Sequence, residues 1–228
     1  MKLAKDRLDV GLMTDDIAMV EFMATDVGLG DPDVLPVTRT VTQHRFDVTG
    51  SVVKVNVVEG LDTTRRSGYS EVMVADPTAI NPRRLVGPDD VVVTRVPPGH
   101  DGVDQLGVRL RVPDLDTARD YFGASLGWNV QGSTVRLGAT VVHLDVDLDA
   151  PPRVESPVRG WTYLTVQIHD CDAETAAAVR AGATLVQPAV TLGDVARFSM
   201  IADPWGNQLE LSQRASLTGP LPPKDADR

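Results

Sequence analysis

Cysteine, aromatic residues, lysine and long apolar runs are all scarce in this sequence, and each shortage excludes something. A single cysteine, Cys171, in 228 residues leaves no intramolecular disulfide framework and no thiolate-rich metal site. No apolar run approaches the roughly 18 to 20 residues of a membrane helix. The opening residues MKLAKDRLDV have no apolar stretch of the signal-peptide kind, so the cytoplasm is the expected compartment and no membrane partner is expected. Basic residues are outnumbered, 22 Lys+Arg against 32 Asp+Glu. A net charge of −10 argues against the basic face that displaces counterions from nucleic acid. Lys2, Lys5 and Lys224 lie near the termini, which leaves Lys54 as the one lysine in the body of the chain. Phosphate-binding glycine loops, paired metalloprotease histidines and dinucleotide fingerprints are absent. The letters GASLG at 123–127 match a hydrolase nucleophile elbow, but Ser125 falls near a helix end instead of between a strand and a helix.

What the sequence does contain is a repeat. The segment LGVRLRVPDLDTARDYFGASLG, 106–127, reads as an alternating strand, a capping Asp114, an apolar helix stripe at Leu115, Ala118, Phe122 and Leu126, and a terminating Gly127. Residues 8–28 follow the same scheme, with Thr14 or Asp15 as the cap, and residues 163–182 follow it with Asp170 or Asp172. Short alternating strands come after each helix, so the unit is βαβββ. A fourth copy opens on GYSEVMVADP and closes on DDVVVTRV, but Pro77 and Pro82 oppose a long helix between them. Pairing consecutive units predicts two domains, 1–103 and 104–214, and leaves 215–228, rich in proline and charge, as a disordered tail.

The stretches VRLRVPDLDTARDYFGASLGW, 108–128, and ADPWGNQLEL, 202–211, resemble the vicinal oxygen chelate superfamily, which groups glyoxalases, bleomycin-resistance proteins and ring-cleaving dioxygenases. Over 1–103 the likeness is looser. The resemblance implies an α+β fold of two tandem domains of paired βαβββ units. Each would be an open, curled mixed sheet around a cavity, with the second unit of the first domain degenerate. It does not imply one chemistry.

Strand alternation assigns the faces, because residues at i and i+2 point the same way. Leu106, Val108 and Leu110 pack on the helices, which turns Gly107, Arg109 and Arg111 into a cavity. Tyr163, Thr165 and Gln167 turn inward likewise, as do His143, Glu210 and Lys54. The resemblance places metal-binding histidines on the opening strands and a carboxylate on the last strand. Here Glu210 matches the carboxylate, whereas Gly107 and Tyr163 stand at the histidine positions. His143 and Glu210 are the two metal-ligand candidates that remain, one short of the usual three. In the first domain Asp9, Lys54 and Glu71 are expected to form an ion cluster where relatives hold a metal, unless Lys54 reaches solvent.

Arg109, Arg111, Tyr163, Thr165, Gln167 and Trp205 are the expected ligand contacts, the arginines either taking an anion or pairing with acids such as Asp145. The reading is therefore a protein that binds a small aromatic or anionic molecule, with no cofactor expected. The alternative is a divalent-metal lyase, isomerase or dioxygenase using His143 and Glu210. Edge-to-edge assembly into a homodimer is open to such sheets.

Overall fold

The computed structural model describes residues 1–150 and 155–222. The first unit contains β1 (Asp9–Thr14), α1 (Ala18–Glu21), β2 (Asp33–Pro36), β3 (Val41–Val48) and β4 (Ser51–Val58). The second has β5 (Tyr69–Ala75), β6 (Arg83–Val86) and β7 (Val92–Val96), and no helix stands between its first two strands. The third comprises β8 (Leu106–Val112), α2 (Leu115–Asp120), β9 (Asn129–Gln131), β10 (Thr134–Leu137) and β11 (Thr140–Val146). The fourth comprises β12 (Gly160–Gln167), α3 (Cys171–Arg180), β13 (Thr184–Leu192), β14 (Ala196–Ala202) and β15 (Gln208–Arg214). The tail expected from residue 215 opens on a further helical turn, α4 (Ala215–Thr218), and 223–228 lie outside the described residues.

Local chemistry explains the helix starts. Asp114 accepts from the Thr117 N–H at 2.7 Å and Asp170 from the Ala173 N–H at 2.9 Å, each satisfying an orphan first-turn donor. In the first unit this role moves to Asp16, which accepts from Ala18 N–H at 2.9 Å, because Thr14 remains in β1 and its hydroxyl donates to Asp89. The first two helices each end in a π-helical turn, Phe22–Asp26 and Tyr121–Ser125. No helix of the described residues is long and apolar enough to cross a membrane.

The first and second units do not share a sheet, and neither do the third and fourth. The eight-stranded sheet runs β13-β14-β15-β12-β1-β4-β3-β2, joining the first unit to the fourth, and the seven-stranded sheet runs β6-β7-β5-β8-β11-β10-β9, joining the second to the third. The junctions are antiparallel ladders that place Gly11 opposite Tyr163 and Glu71 opposite Arg109. The alternation expected for the opening strands holds: Leu106, Val108, Leu110, Leu164, Val166 and Ile168 are fully buried in the apolar core. That core is one cluster fed by both sheets and by Met19, Phe22, Ala118, Phe122 and Ala178 of the helical segments.

The ADPWGNQLEL turn bolts the sheets together. Asp203 accepts from the Trp205 N–H at 2.9 Å and from the Asn207 N–H and Nδ2 at 2.8 Å. Asn207 Oδ1 then accepts from the Gly68 N–H at 2.6 Å, just before β5, and the Tyr69 hydroxyl donates to the Gln208 carbonyl at 2.9 Å. Gly68 is required there, since a Cβ would stand 2.5 Å from the Arg111 carbonyl oxygen. Burial pushes the Asp203 carboxyl up to about 6 against these donors. An acid raised on folding adds stability that is complete below the unfolded value, roughly 3.9, and is lost as pH climbs through 6. Relative to an Asp203→Asn variant, the protein is expected to lose on the order of 3 kcal/mol between pH 4 and pH 7. Urea unfolding of both across that range checks this, and parallel pH curves would refute it.

Candidate functional site

Residues from both edges of the eight-stranded sheet, Leu35 of β2 and Val186 and Pro188 of β13, line the same cavity of about 470 Å³. Eight flat strands would hold those edges roughly 34 Å apart. The sheet is therefore curled, and the cavity is its concave face.

Its floor is built from the two opening and two closing strands. Lys54 of β4 donates to Thr165 Oγ1 of β12 at 2.7 Å and to Glu210 Oε1 and Oε2 of β15 at 3.1 and 3.3 Å. The Lys54 and Glu210 side chains are 4% and 14% exposed, so most of the pair is out of water while the carboxylate reaches the cavity. Burial pulls the Lys54 pKa down and Arg45 adds to that pull, while the Glu210 and Asp9 carboxylates oppose it. Tyr163 lies flat across Gly11, where an added Cβ would stand 2.2 Å from the ring, and the Lys54 ammonium sits 5.4 Å from the ring centroid. Burial, reinforced by Glu210, holds the Tyr163 phenol above its ordinary range. A polar chain leads outward from it: Asn56 Nδ2 donates to the Tyr163 hydroxyl at 3.1 Å, Gln43 Nε2 to Asn56 Oδ1 at 2.9 Å, and Arg45 Nη1 to Gln43 Oε1 at 2.6 Å.

Several expected residues meet here in a different grouping. Lys54 faces inward and is ion-paired, but its carboxylate is Glu210, not Glu71. Asp9 lies alongside, accepting from the Val52 N–H at 2.8 Å and from Gln167 Nε2 at 3.0 Å while ion-paired with Lys5. Glu71 belongs to the other sheet, where Arg109 is the hub of the charges: its Nε lies 3.7 Å from Glu71, and its terminal nitrogens lie 3.3 Å from Asp101 and Asp145. Arg111 pairs with Asp147 at 3.3 Å. His143 stands beside Arg109 in that ladder, its Nε2 buried without a hydrogen-bond partner among the described residues and its pKa lowered by burial and by Arg109. The structure thus brings Tyr163, Thr165, Gln167 and Glu210 together and leaves Arg109, Arg111 and His143 on the seven-stranded sheet. Trp205 packs against the apolar core from the Asp203 turn and does not line the cavity.

The seven-stranded sheet has part of its matching face filled. The segment between β7 and β8 lays Val103 against Met73, Val96 and Val141. Gly107 makes room for it, since a Cβ there would lie 2.6 Å from Val103 Cγ2 and 3.0 Å from Met73 Cε.

Sequence reasoning missed Arg45 and Arg214, which line the cavity. The signal was present: Arg214 keeps the parity of Glu210 along β15, and Gln43 and Arg45 alternate with the buried Phe46. Among the described residues, no three His, Cys, Asp or Glu side chains group closely enough to hold a metal ion.

Removing one member of a buried ion pair strands the other. Lys54→Met is expected to cost about 3 kcal/mol, the low end of that range because Glu210 reaches the cavity, and Lys54→Met with Glu210→Leu should recover most of it. Urea unfolding of the single and double variants decides the point; a single variant as stable as the parent would show the pair to be idle.

The protein-family comparison matches residues 102–211 to the Glyoxalase/Bleomycin resistance protein/Dioxygenase superfamily. Among solved structures, glyoxalase I from Zea mays superposes with a TM-score of 0.64 at 13% identity, covering 91% of this chain and 92% of that one. A Bacillus subtilis protein assigned as a dioxygenase superposes with a TM-score of 0.68 at 11% identity, covering 93% and 86%. At such identities the likeness is one of fold. No curated protein matches the sequence.

Proposed function

We propose that this chain, which matches the Glyoxalase/Bleomycin resistance protein/Dioxygenase superfamily over residues 102–211 and has the fold of glyoxalase I over nearly its whole length, binds a small organic molecule in the cavity of the eight-stranded sheet without a metal ion. The observation that carries this reading is the Lys54 ammonium, held 3.1 Å from Glu210. The superfamily implies a divalent cation at the positions where opening and closing strands meet, and the residues there do not fit one. Of the four strands, β4 offers an ammonium, which has no lone pair, and β1 offers Gly11, which has no side chain, and Asp9, whose carboxylate is taken by Lys5, the Val52 N–H and Gln167. Tyr163 and Thr165 of β12 are poor neutral-pH ligands, and Glu210 is already committed to Lys54. A second cation beside that ammonium would be repelled strongly in so dry a place. No catalytic step through a metal follows from this donor set. His143 offers no way around it, lying in the other sheet.

Apolar walls from β2, β13 and β14 surround the polar floor, the arrangement of a small-molecule site, and 470 Å³ falls in the ordinary range for one. The acidity of the chain speaks for a small molecule rather than nucleic acid as partner.

Protein purified without chelator is expected to carry far less than one equivalent of Fe, Mn, Zn or Ni by elemental analysis. Stoichiometric metal that disappears in Glu210→Ala would overturn the metal-free reading. In a thermal-shift screen of small organic compounds, stabilising hits are expected to vanish in Met200→Trp, which fills the cavity; hits unaffected by that change would place binding elsewhere.

A further inference from the structure

The cavity carries a charge imbalance opposite to that of the molecule. Within a chain of net charge −10, the described lining contains Arg45, Lys54 and Arg214 against one carboxylate, Glu210. Lys54 and Glu210 neutralise each other, and Asp9 beneath them is ion-paired with Lys5. That leaves two guanidinium groups without an ion pair among the described residues. Arg45 donates to Gln43 at 2.6 Å and has no carboxylate within ion-pair distance, and the Arg214 guanidinium makes neither a hydrogen bond nor an ion pair among the described residues. Both side chains are partly buried and line the same cavity; burial and then Arg45 lower the Arg214 pKa, while the Asp9 and Glu210 carboxylates oppose that pull.

Two like charges that line one partly desolvated cavity with most of their donors unused are costly. A guanidinium presents five N–H donors in a planar fork, and carboxylates, sulfonates and phosphates match that fork. Apolar groups dominate the walls, Leu35, Val37 and Val41 on one side and Pro188, Phe198 and Met200 on the other, with neutral polar groups such as Gln187 and Gln208 among them. A cationic ligand would add to the repulsion, and a neutral one would leave the forks unmatched.

We infer that the ligand is an organic anion with an apolar body, its acidic group gripped by Arg45 and Arg214 and its body held between the β2–β3 and β13–β14 walls. This inference rests on the cavity being the binding site. The same two arginines make the class selective: charge-assisted, forked hydrogen bonds are about twice as strong as neutral ones.

Three probes of one shape test it by isothermal titration calorimetry at fixed salt: 2-naphthoate, 2-naphthalenemethanol and 2-naphthylmethylammonium. Naphthoate is expected to bind at least about tenfold more tightly than the alcohol, with the ammonium weakest. Arg45→Gln and Arg214→Gln are each expected to weaken naphthoate about fivefold or more while leaving the alcohol unchanged. Equal affinity for naphthoate and the alcohol overturns the anion inference and leaves the cavity reading standing. A naphthoate preference untouched by both arginine variants overturns it too, by placing the anion elsewhere. Failure of all three probes, together with no Met200→Trp-sensitive hit in the wider screen, removes the cavity reading and this inference with it.

Discussion

The contact between Lys54 and Glu210 is the constraint around which the eight-stranded sheet is organised. The two residues are 156 positions apart, on the closing strands of the first and fourth units, and they meet only because β1 pairs with β12 between them. A buried ammonium requires acceptors, and it finds them in Thr165 and Glu210. Whatever its net contribution to stability, a pair of this kind penalises any packing that separates its halves. It also commits the Glu210 carboxylate of the cavity floor to an ammonium.

Around that contact the two sheets have taken different courses with the same architecture. In the eight-stranded sheet the concave face stays open, and Gly11 lets Tyr163 lie flat across it. In the seven-stranded sheet Gly107 performs the same steric service for Val103, which fills part of the face, while Arg109 gathers three carboxylates beyond it. A glycine at an opening-strand position thus admits an aromatic floor in one sheet and a plug in the other. The charge that would suit a ligand is spent internally on the seven-stranded side and left unspent, as Arg45 and Arg214, on the open side.

Much of this was legible before any coordinates. Period-two alternation turned Lys54, Tyr163 and Glu210 toward the cavity they line, and Thr165 to the same face beneath them. Asp114 marked its helix start and Asp170 was one of two candidates for the next, and Pro77 and Pro82 opposed a long helix in the second unit. The partner of Lys54 was misassigned as Glu71 for a single reason: the units were paired in chain order. Arg109 pairs with Asp145, one of the two alternatives expected for it, and with Arg111 and His143 it lies on the other sheet from Tyr163 and Glu210.

The residues by themselves determined the repeated unit, the element types, the face each side chain occupies and the oddity of one lone interior lysine, because alternation, capping and turn chemistry act over a few neighbouring positions. Which opening strand lies beside which was decided only in three dimensions. Every unit presents a similar apolar strand, so local pattern cannot distinguish the possible pairings. The choice falls to contacts far apart in the chain, Asn207 with Gly68, Gln167 with Asp9 and Glu210 with Lys54, which are satisfied together in one arrangement.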